Sequence, residues 1–242
     1  MLTRNEEDRV SVSLGEVRDH VHRIIVLDAE SDDATRELAQ KAGAEVVVRP
    51  WEGFVSARRY LLSLVTSPWV LMIDADEVIE PGLWLELESL GFPECSADGF
   101  QMRRRTVYEG KKLRRAFQPD WKMSLVRVGN AYFEDRFVHE SLKVKGVVER
   151  LRTEILHSSF RSADDHHQRI RTYARLAAQD LAEQGKRVSF TNLWLRPAWR
   201  WFKELILQGG IADGLLGLKM ASRSAYGVHL SYRYLREMND NL

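Results

Sequence analysis

"VLMIDADEVIEPG", residues 70–82, runs from apolar residues straight into three carboxylates, Asp74, Asp76 and Glu77. An apolar run with almost no alternation reads as a strand buried on both faces, so the acidic residues fall at its carboxyl end, on the lip of a sheet. Crowding negative charge there is costly unless something positive is held beside it. Asp74 and Asp76, one residue apart, suit a hard divalent cation such as Mg²⁺ or Mn²⁺, because oxygen ligands are its preference and the ion offsets their repulsion. Such an ion keeps open positions for phosphate oxygens. The plainer alternative is that the two aspartates cap the turn or helix that follows.

Working outward, the first third alternates strand and helix patterns. "RIIVL" (23–27) is a β-branched run ending at Asp28, and "SDDATRELAQKAG" (31–43) supplies a capping residue, a helical segment and a glycine stop. "AEVVV" (44–48), "GFVSARRYLLSLV" (53–65) and "WVLMI" (69–73) continue as strand, helix and strand, and "EPGLWLELESL" (80–90) opens a helix on proline. This spacing predicts an α/β fold with a mostly parallel sheet. Ligands of such sheets sit outside the carboxyl ends of the strands, so Asp28 and the 74–77 cluster border one crevice.

From residue 99 the texture changes. "GFQMRRRTVYEGKKLRR" (99–115), "WKMSLVRVG" (121–129) and "GVVERLRTEILH" (146–157) read as antiparallel strands, with a Glu-Gly turn between two basic arms. Residues 163–185 form a helix with Asp near its start, Ile170, Tyr173, Leu176, Ala177 and Leu181 at helical spacing, and Gly185 at its end. In "FTNLWLRPAWRWFKELILQGG" (190–210), Arg196, Arg200 and Lys203 alternate with Trp194, Trp199, Trp201, Phe202 and Leu205. A domain over 1–162 and a helical extension over 163–242 are expected.

Composition excludes some classes. The 242 residues carry 36 basic and 35 acidic side chains, a formal charge of +1, so no global field draws the chain to nucleic acid. A single cysteine, Cys95, permits no intrachain disulfide and no cysteine-rich zinc site. The sequence predicts neither a signal peptide nor a transmembrane span, and a cytoplasmic protein is expected.

Taken in order, Thr-x-Asn-Glu-Glu at Thr3–Glu7, Asp28 to Thr35, "WEGF" at Trp51–Phe54, Arg58 and "DADE" at Asp74–Glu77 resemble glycosyltransferase family two, with its nucleotide-sugar-binding GT-A fold. "PDWKMSLVRVG" (119–129), "FVHE" (137–140), "LHSSFRS" (156–162) and "LWLRPAWRWF" (193–202) are similar to one branch, the bacterial lipopolysaccharide-core β-glucosyltransferases. The resemblance implies an inverting, metal-dependent transfer of a hexose, glucose from UDP-glucose, onto lipopolysaccharide core or a related envelope glycan. A catalytically inactive family member that binds nucleotide is the alternative.

By the same resemblance, Thr3, Asn5 and Glu6 border the nucleotide base, and Asp28 accepts hydrogen bonds from uracil or ribose. Asp74 faces the ribose and metal, Asp76 ligates Mg²⁺ or Mn²⁺ directly, and Arg58 adds positive charge to the leaving group. Asp120 is the first candidate for the base that takes the acceptor's proton and Glu140 the second. His139 is a further metal ligand or orients the donor phosphates, His157 reads as core, and His166 and His167 face water. The family's opening strand is longer than Met1–Leu2, so that strand is expected to be truncated; Ala29, Glu30 and Ala34 replace small and glycine residues of its Asp-Ser-Gly-Ser-Thr-Asp-Gly-Thr motif.

The basic stretch 103–115 lacks the interleaved aromatic platforms of single-strand binders, so no nucleic-acid partner is expected. The expected partners are a nucleotide-sugar donor and a lipid-linked glycan acceptor. The Trp/Arg-rich segment resembles an interfacial anchor, which puts the protein peripherally at the inner face of the cell membrane.

Overall fold

The alternation of strand and helix over residues 23–90 is realised in the computed structural model, which describes residues 1–116, 118–133 and 142–240. In chain order the first elements are β1 (Leu2–Thr3), α1 (Val10–Gly15), β2 (Ile25–Asp28), α2 (Thr35–Lys41), β3 (Glu45–Val48), α3 (Phe54–Ser63) and β4 (Trp69–Leu71). β5 (Glu77–Ile79), α4 (Gly82–Ser89), β6 (Gly99–Tyr108), β7 (Lys111–Lys112), β8 (Trp121–Arg127), β9 (Ala131–Phe133), β10 (Leu142–Val144) and β11 (Val148–His157) follow. The chain closes with α5 (Ala163–Glu183), α6 (Arg196–Phe202) and α7 (Gly214–Asp240).

Two compact units result. One holds residues 1–104 and 120–157; the other holds 105–119 and 158–242, so it takes in a hairpin tip as well as the helices beyond the 162/163 boundary read from the sequence. In the first unit β1, β2 and β3 form a parallel sheet, with Leu2 opposite Leu27 and Ile25 opposite Glu45. β4 pairs antiparallel with β8, Val70 opposite Val126, and heads a sheet ordered β4-β8-β6-β11-β5. The architecture is therefore a mixed α/β fold. Parallel pairing stops at β3: β8 pairs antiparallel with both β4 and β6, and β11 antiparallel with β5, which requires no helical crossover. Ile73, Ile79, Leu83, Leu87, Phe100, Met102, Leu125, Leu151 and Ile155 form one buried cluster beneath this second sheet. Residues from both of its ends thus brace the turn that carries the acidic lip.

The second unit begins where β6 continues into a tight turn. Glu109 and Gly110 both have positive φ, 49° and 71°, the pattern of a two-residue hairpin turn that matches strand twist. α5 forms as expected, capped by the Ser162 hydroxyl, which accepts from the Asp165 backbone N–H. Its buried stripe differs from the expected one: Ala174, Ala178 and His166 are buried, while Tyr173 and Leu176 are exposed. Small alanines let α7 approach closely, and Ala178 shares a cluster with Tyr232 and Leu235.

His166 does not face water. It stacks on Phe160 at 3.7 Å, its Nδ1 lies 3.1 Å from Arg223 Nη1, and burial pushes its pKa down to about 4. Since Arg223 can only donate, the imidazole accepts and is neutral.

Candidate active site

The acidic lip lies where the sequence predicts, immediately after β4. A tight turn connects Asp74 to β5: the Glu77 N–H donates to the Asp74 carbonyl at 3.1 Å, and the Asp74 N–H donates back to Glu77 Oε2 at 3.0 Å. Glu77, not either aspartate, caps the turn. The Ser13 hydroxyl on α1 donates to the Ala75 carbonyl at 2.6 Å, which fixes the turn from the other side.

The positive charge beside the lip comes first from the protein itself. Lys122, at the start of β8, places Nζ 2.8 Å from Asp74 Oδ2 and in contact with Glu77 Oε2. Arg58 on α3 lies 3.3 Å from Asp74 Oδ1, and Arg104 on β6 lies 3.5 Å from the fully buried Glu77. Burial pushes the Asp74 carboxyl up, but Lys122 and Arg58 outweigh it and hold the group well below the usual carboxylate range. Burial likewise opposes the charge on Lys122, yet Glu77 and Asp74 raise its pKa. Register explains the arrangement: with Val70 opposite Val126, continuation of β4 brings residue 74 opposite 122.

Asp76 points elsewhere. Its Oδ2 lies 3.2 Å from His157 Nε2 and 3.8 Å from Arg9 Nη1. Burial raises its pKa, while the His157 hydrogen bond leads the effects that bring it below the ordinary value. His157, read from sequence as core, is only half-buried; it ends β11, and that strand's register sets it opposite Glu77. An oxygen and an imidazole nitrogen converging at this distance fit a divalent cation of the Mn²⁺ type. Asp74 fits one less well, because both its oxygens already meet cations. Among the described residues no cluster of three or more His, Cys, Asp or Glu is arranged to hold a metal, so further ligands would come from donor phosphates and water.

Beside the lip is a cavity of about 320 Å³ lined by Arg58, Asp74, Arg104, Asp120, Trp121 and Lys122 among others. Asp120 is held by Arg104, whose Nε donates to Oδ2 at 2.7 Å. The Trp121 ring is flanked by the guanidinium groups of Arg150 at 4.6 Å and Arg103 at 5.3 Å. A larger cavity of about 580 Å³ in the same unit is mostly apolar, with Ile25, Val70, Trp84 and Phe92 in its wall, and contains none of the acidic candidates.

The loops after β1 and β2 are stitched to each other. The Asn5 N–H donates to Ser31 Oγ at 2.9 Å, the Asp32 N–H to Asn5 Oδ1 at 3.0 Å, and the Glu6 N–H to Thr35 Oγ1 at 2.7 Å. Asp28, expected to accept from uracil or ribose, is fully buried. It takes hydrogen bonds from Thr3 Oγ1 at 3.0 Å, the Ser31 N–H at 2.8 Å and Ser31 Oγ at 2.5 Å. In this arrangement the carboxylate ties the two loops together; Thr3 is buried with it, while Asn5 and Glu6 stay nearer the surface. Glu30 in the same loop has φ 55°, which explains why a glycine suits that position. His139 and Glu140 lie outside the described residues.

Lys122 and His157, with Arg104 and Trp121, are candidate-site residues that sequence reasoning missed. A lysine inside the otherwise apolar "WKMSLVR" strand, and a histidine closing "RTEILH" as Asp74 closes "VLMI", were the available signals.

The glycosyl transferase family 2 model matches residues 1–137. An uncharacterized glycosyltransferase of Rickettsia conorii is 28% identical over 250 residues, covering 98% of this chain and 88% of that protein. The lipopolysaccharide core biosynthesis glycosyltransferase LpsC of Rhizobium meliloti is 27% identical over 221 residues, covering 86% and 80%. Among solved structures, the mannosyltransferase PcManGT of Pyrobaculum calidifontis, in complex with GDP-Man and Mn²⁺, has a TM-score of 0.54 at 14% identity, covering 98% of this chain and 86% of that one; the likeness is one of fold. The parallel sheet, the acidic lip after β4 and a family model spanning more than half the sequence lead to one assignment: this chain is an enzyme of glycosyl transferase family 2.

Proposed function

We propose that the protein is an inverting, metal-dependent hexosyltransferase that moves glucose from UDP-glucose onto lipopolysaccharide core or a related lipid-linked envelope glycan, working at the inner face of the cell membrane. The observation that carries this reading is the Asp76–His157 pair at 3.2 Å, one turn from a cavity that holds Arg58, Lys122 and Asp120. The similarity to LpsC supports the choice of acceptor.

When bound, a divalent cation at Asp76 and His157 supplies Lewis-acid stabilisation to the departing nucleoside diphosphate. Arg58 and Lys122 add fixed positive charge in the cavity that Asp74 and Asp120 line. The acceptor oxygen forms its bond to the anomeric carbon as the bond from that carbon to the donor phosphate oxygen breaks. The electron pair leaves with the diphosphate, and the hydroxyl proton passes to the Asp120 carboxylate, which Arg104 orients. Trp121, in the cavity wall beside Asp120, has its ring covered by the Arg103 and Arg150 guanidinium groups.

The test is UDP release from UDP-glucose with a panel of core-oligosaccharide and lipid-linked acceptors. Asp120→Asn should lower turnover by about 10²–10⁴-fold with UDP affinity unchanged. Wild-type turnover in that variant, with loss only in Glu140→Gln, moves the base to Glu140. A second reading, nucleotide binding without transfer, draws support from the saturation of Asp74 by Lys122 and Arg58; UDP binding with no turnover on any acceptor would favour it.

A further inference from the structure

We propose that the segment 190–207 is a docking face for an anionic lipid bilayer. This deepens the lipid-linked acceptor reading but stands on separate observations, and its experiment requires no transfer activity.

The segment joins α6 to two widened turns with i→i+5 hydrogen bonding, Thr191–Leu195 before it and Lys203–Leu207 after it. Phe190, Leu195, Trp199, Phe202 and Leu207 are 41–73% exposed. Their spacings are five, four, three and five residues. In a regular α-helix a five-residue step turns a side chain about 140° away from its starting direction, but each five-residue step here coincides with a widened turn, which returns it to the same side. The result is a continuous apolar ridge, widened by Trp194 at 54% exposure.

The opposite side is already used. Pro197 and Leu205 are buried, and Trp201 Nε1 donates to Ser222 Oγ of α7 at 3.2 Å. The ridge is therefore a second apolar face on a helix whose first is satisfied, and a contiguous patch of this kind marks an interaction site.

Charge selects the occupant. Residues 184–220 hold six basic side chains and two acidic ones, and one of the six, Lys219, is paired with Glu109 from outside that stretch. Glu204 is paired with Arg200 at 2.6 Å, and the Asp213 carboxylate is taken up by the backbone N–H groups of Arg114, Arg115 and Ala116. Arg196 donates to the Tyr232 hydroxyl of α7 and Arg200 is held by Glu204, while the exposed Lys203 lies by helical geometry on the flank of the ridge. Aromatic residues bordered by cations match the interface of an anionic membrane. Among the described residues no helix is long and apolar enough to cross a bilayer, so the face lies on the surface.

The test is flotation of the full-length chain with phosphatidylglycerol-containing vesicles and with pure phosphatidylcholine vesicles. Binding should require the anionic lipid. Replacing both Trp199 and Phe202 by Ala should weaken it about tenfold or more, and Lys203→Ala about fivefold, with circular dichroism unchanged because all three side chains are exposed. Brominated lipid should quench tryptophan fluorescence, and less so in Trp199→Phe. The proposal is overturned by absence of flotation, by undiminished flotation of the double variant, or by a dimer that forms in wild type, is lost in the double variant and excludes vesicles.

Discussion

Lys122 is the residue on which the geometry of the acidic lip depends, and Lys122→Met isolates its charge while preserving an unbranched apolar stem. The ammonium sits 2.8 Å from Asp74 and contacts Glu77, whose carboxylate is fully buried. Removing it leaves Arg104 at 3.5 Å as the cation facing Glu77 and Arg58 at 3.3 Å as the cation facing Asp74. Breaking a buried ion pair from one side costs about 3–5 kcal/mol. Because 18% of the Lys122 side chain remains exposed, the low end applies, about 3 kcal/mol. Urea unfolding followed by tryptophan fluorescence would register this as a fall of about 1 M or more in midpoint. Glu77→Gln in the Lys122→Met background should recover part of the loss, with a coupling of about 2 kcal/mol in a double-mutant cycle.

The pH dependence supplies an independent check. A carboxyl held below its ordinary range stabilises the fold above the unfolded value of about 3.9 and loses that contribution as pH falls toward its folded value. Asp74 is such a group, so Lys122→Met should show a smaller acid-induced loss below about pH 4 than wild type. An unchanged midpoint together with an additive cycle would refute the reasoning.

His166, buried with a pKa lowered to about 4, binds a proton more readily unfolded than folded. Stability should therefore fall by up to about 3 kcal/mol as pH drops from about 6.5 to about 4, and His166→Gln should flatten that slope in hydrogen exchange of α5 and α7. Glu30, with φ 55°, pays for a left-handed conformation, and Glu30→Gly should raise stability by about 0.5–1 kcal/mol, read as a higher melting temperature.

The lip itself was legible because an apolar run and a carboxylate cluster are both local patterns, whereas the burial expected on both faces of that run is not found: β4 is a half-buried strand at the edge of its sheet. Lys122 is 48 residues away from Asp74, and only the antiparallel register of β4 with β8 makes them neighbours. His157 looked like core for the same reason, since pairing with β5 decides that its ring meets Asp76. At Asp28 a strand end suggests a ligand-facing role, while its hydrogen bond from Thr3, 25 residues away in sequence, comes only from the parallel pairing of β1 with β2. In α5 the helix was plain from capping and spacing, but the choice of Ala174 and Ala178 over Tyr173 and Leu176 as the buried stripe depends on how closely α7 packs.

Isothermal calorimetry of UDP with and without Mn²⁺ reaches the centre of the account, the claim that Asp76 and His157 together hold the cation carrying the donor diphosphate. Wild type should bind UDP in a Mn²⁺-dependent manner, and Asp76→Asn and His157→Ala should each weaken that binding about tenfold or more while leaving metal-free binding unchanged. Full Mn²⁺-dependent affinity in both variants would contradict it.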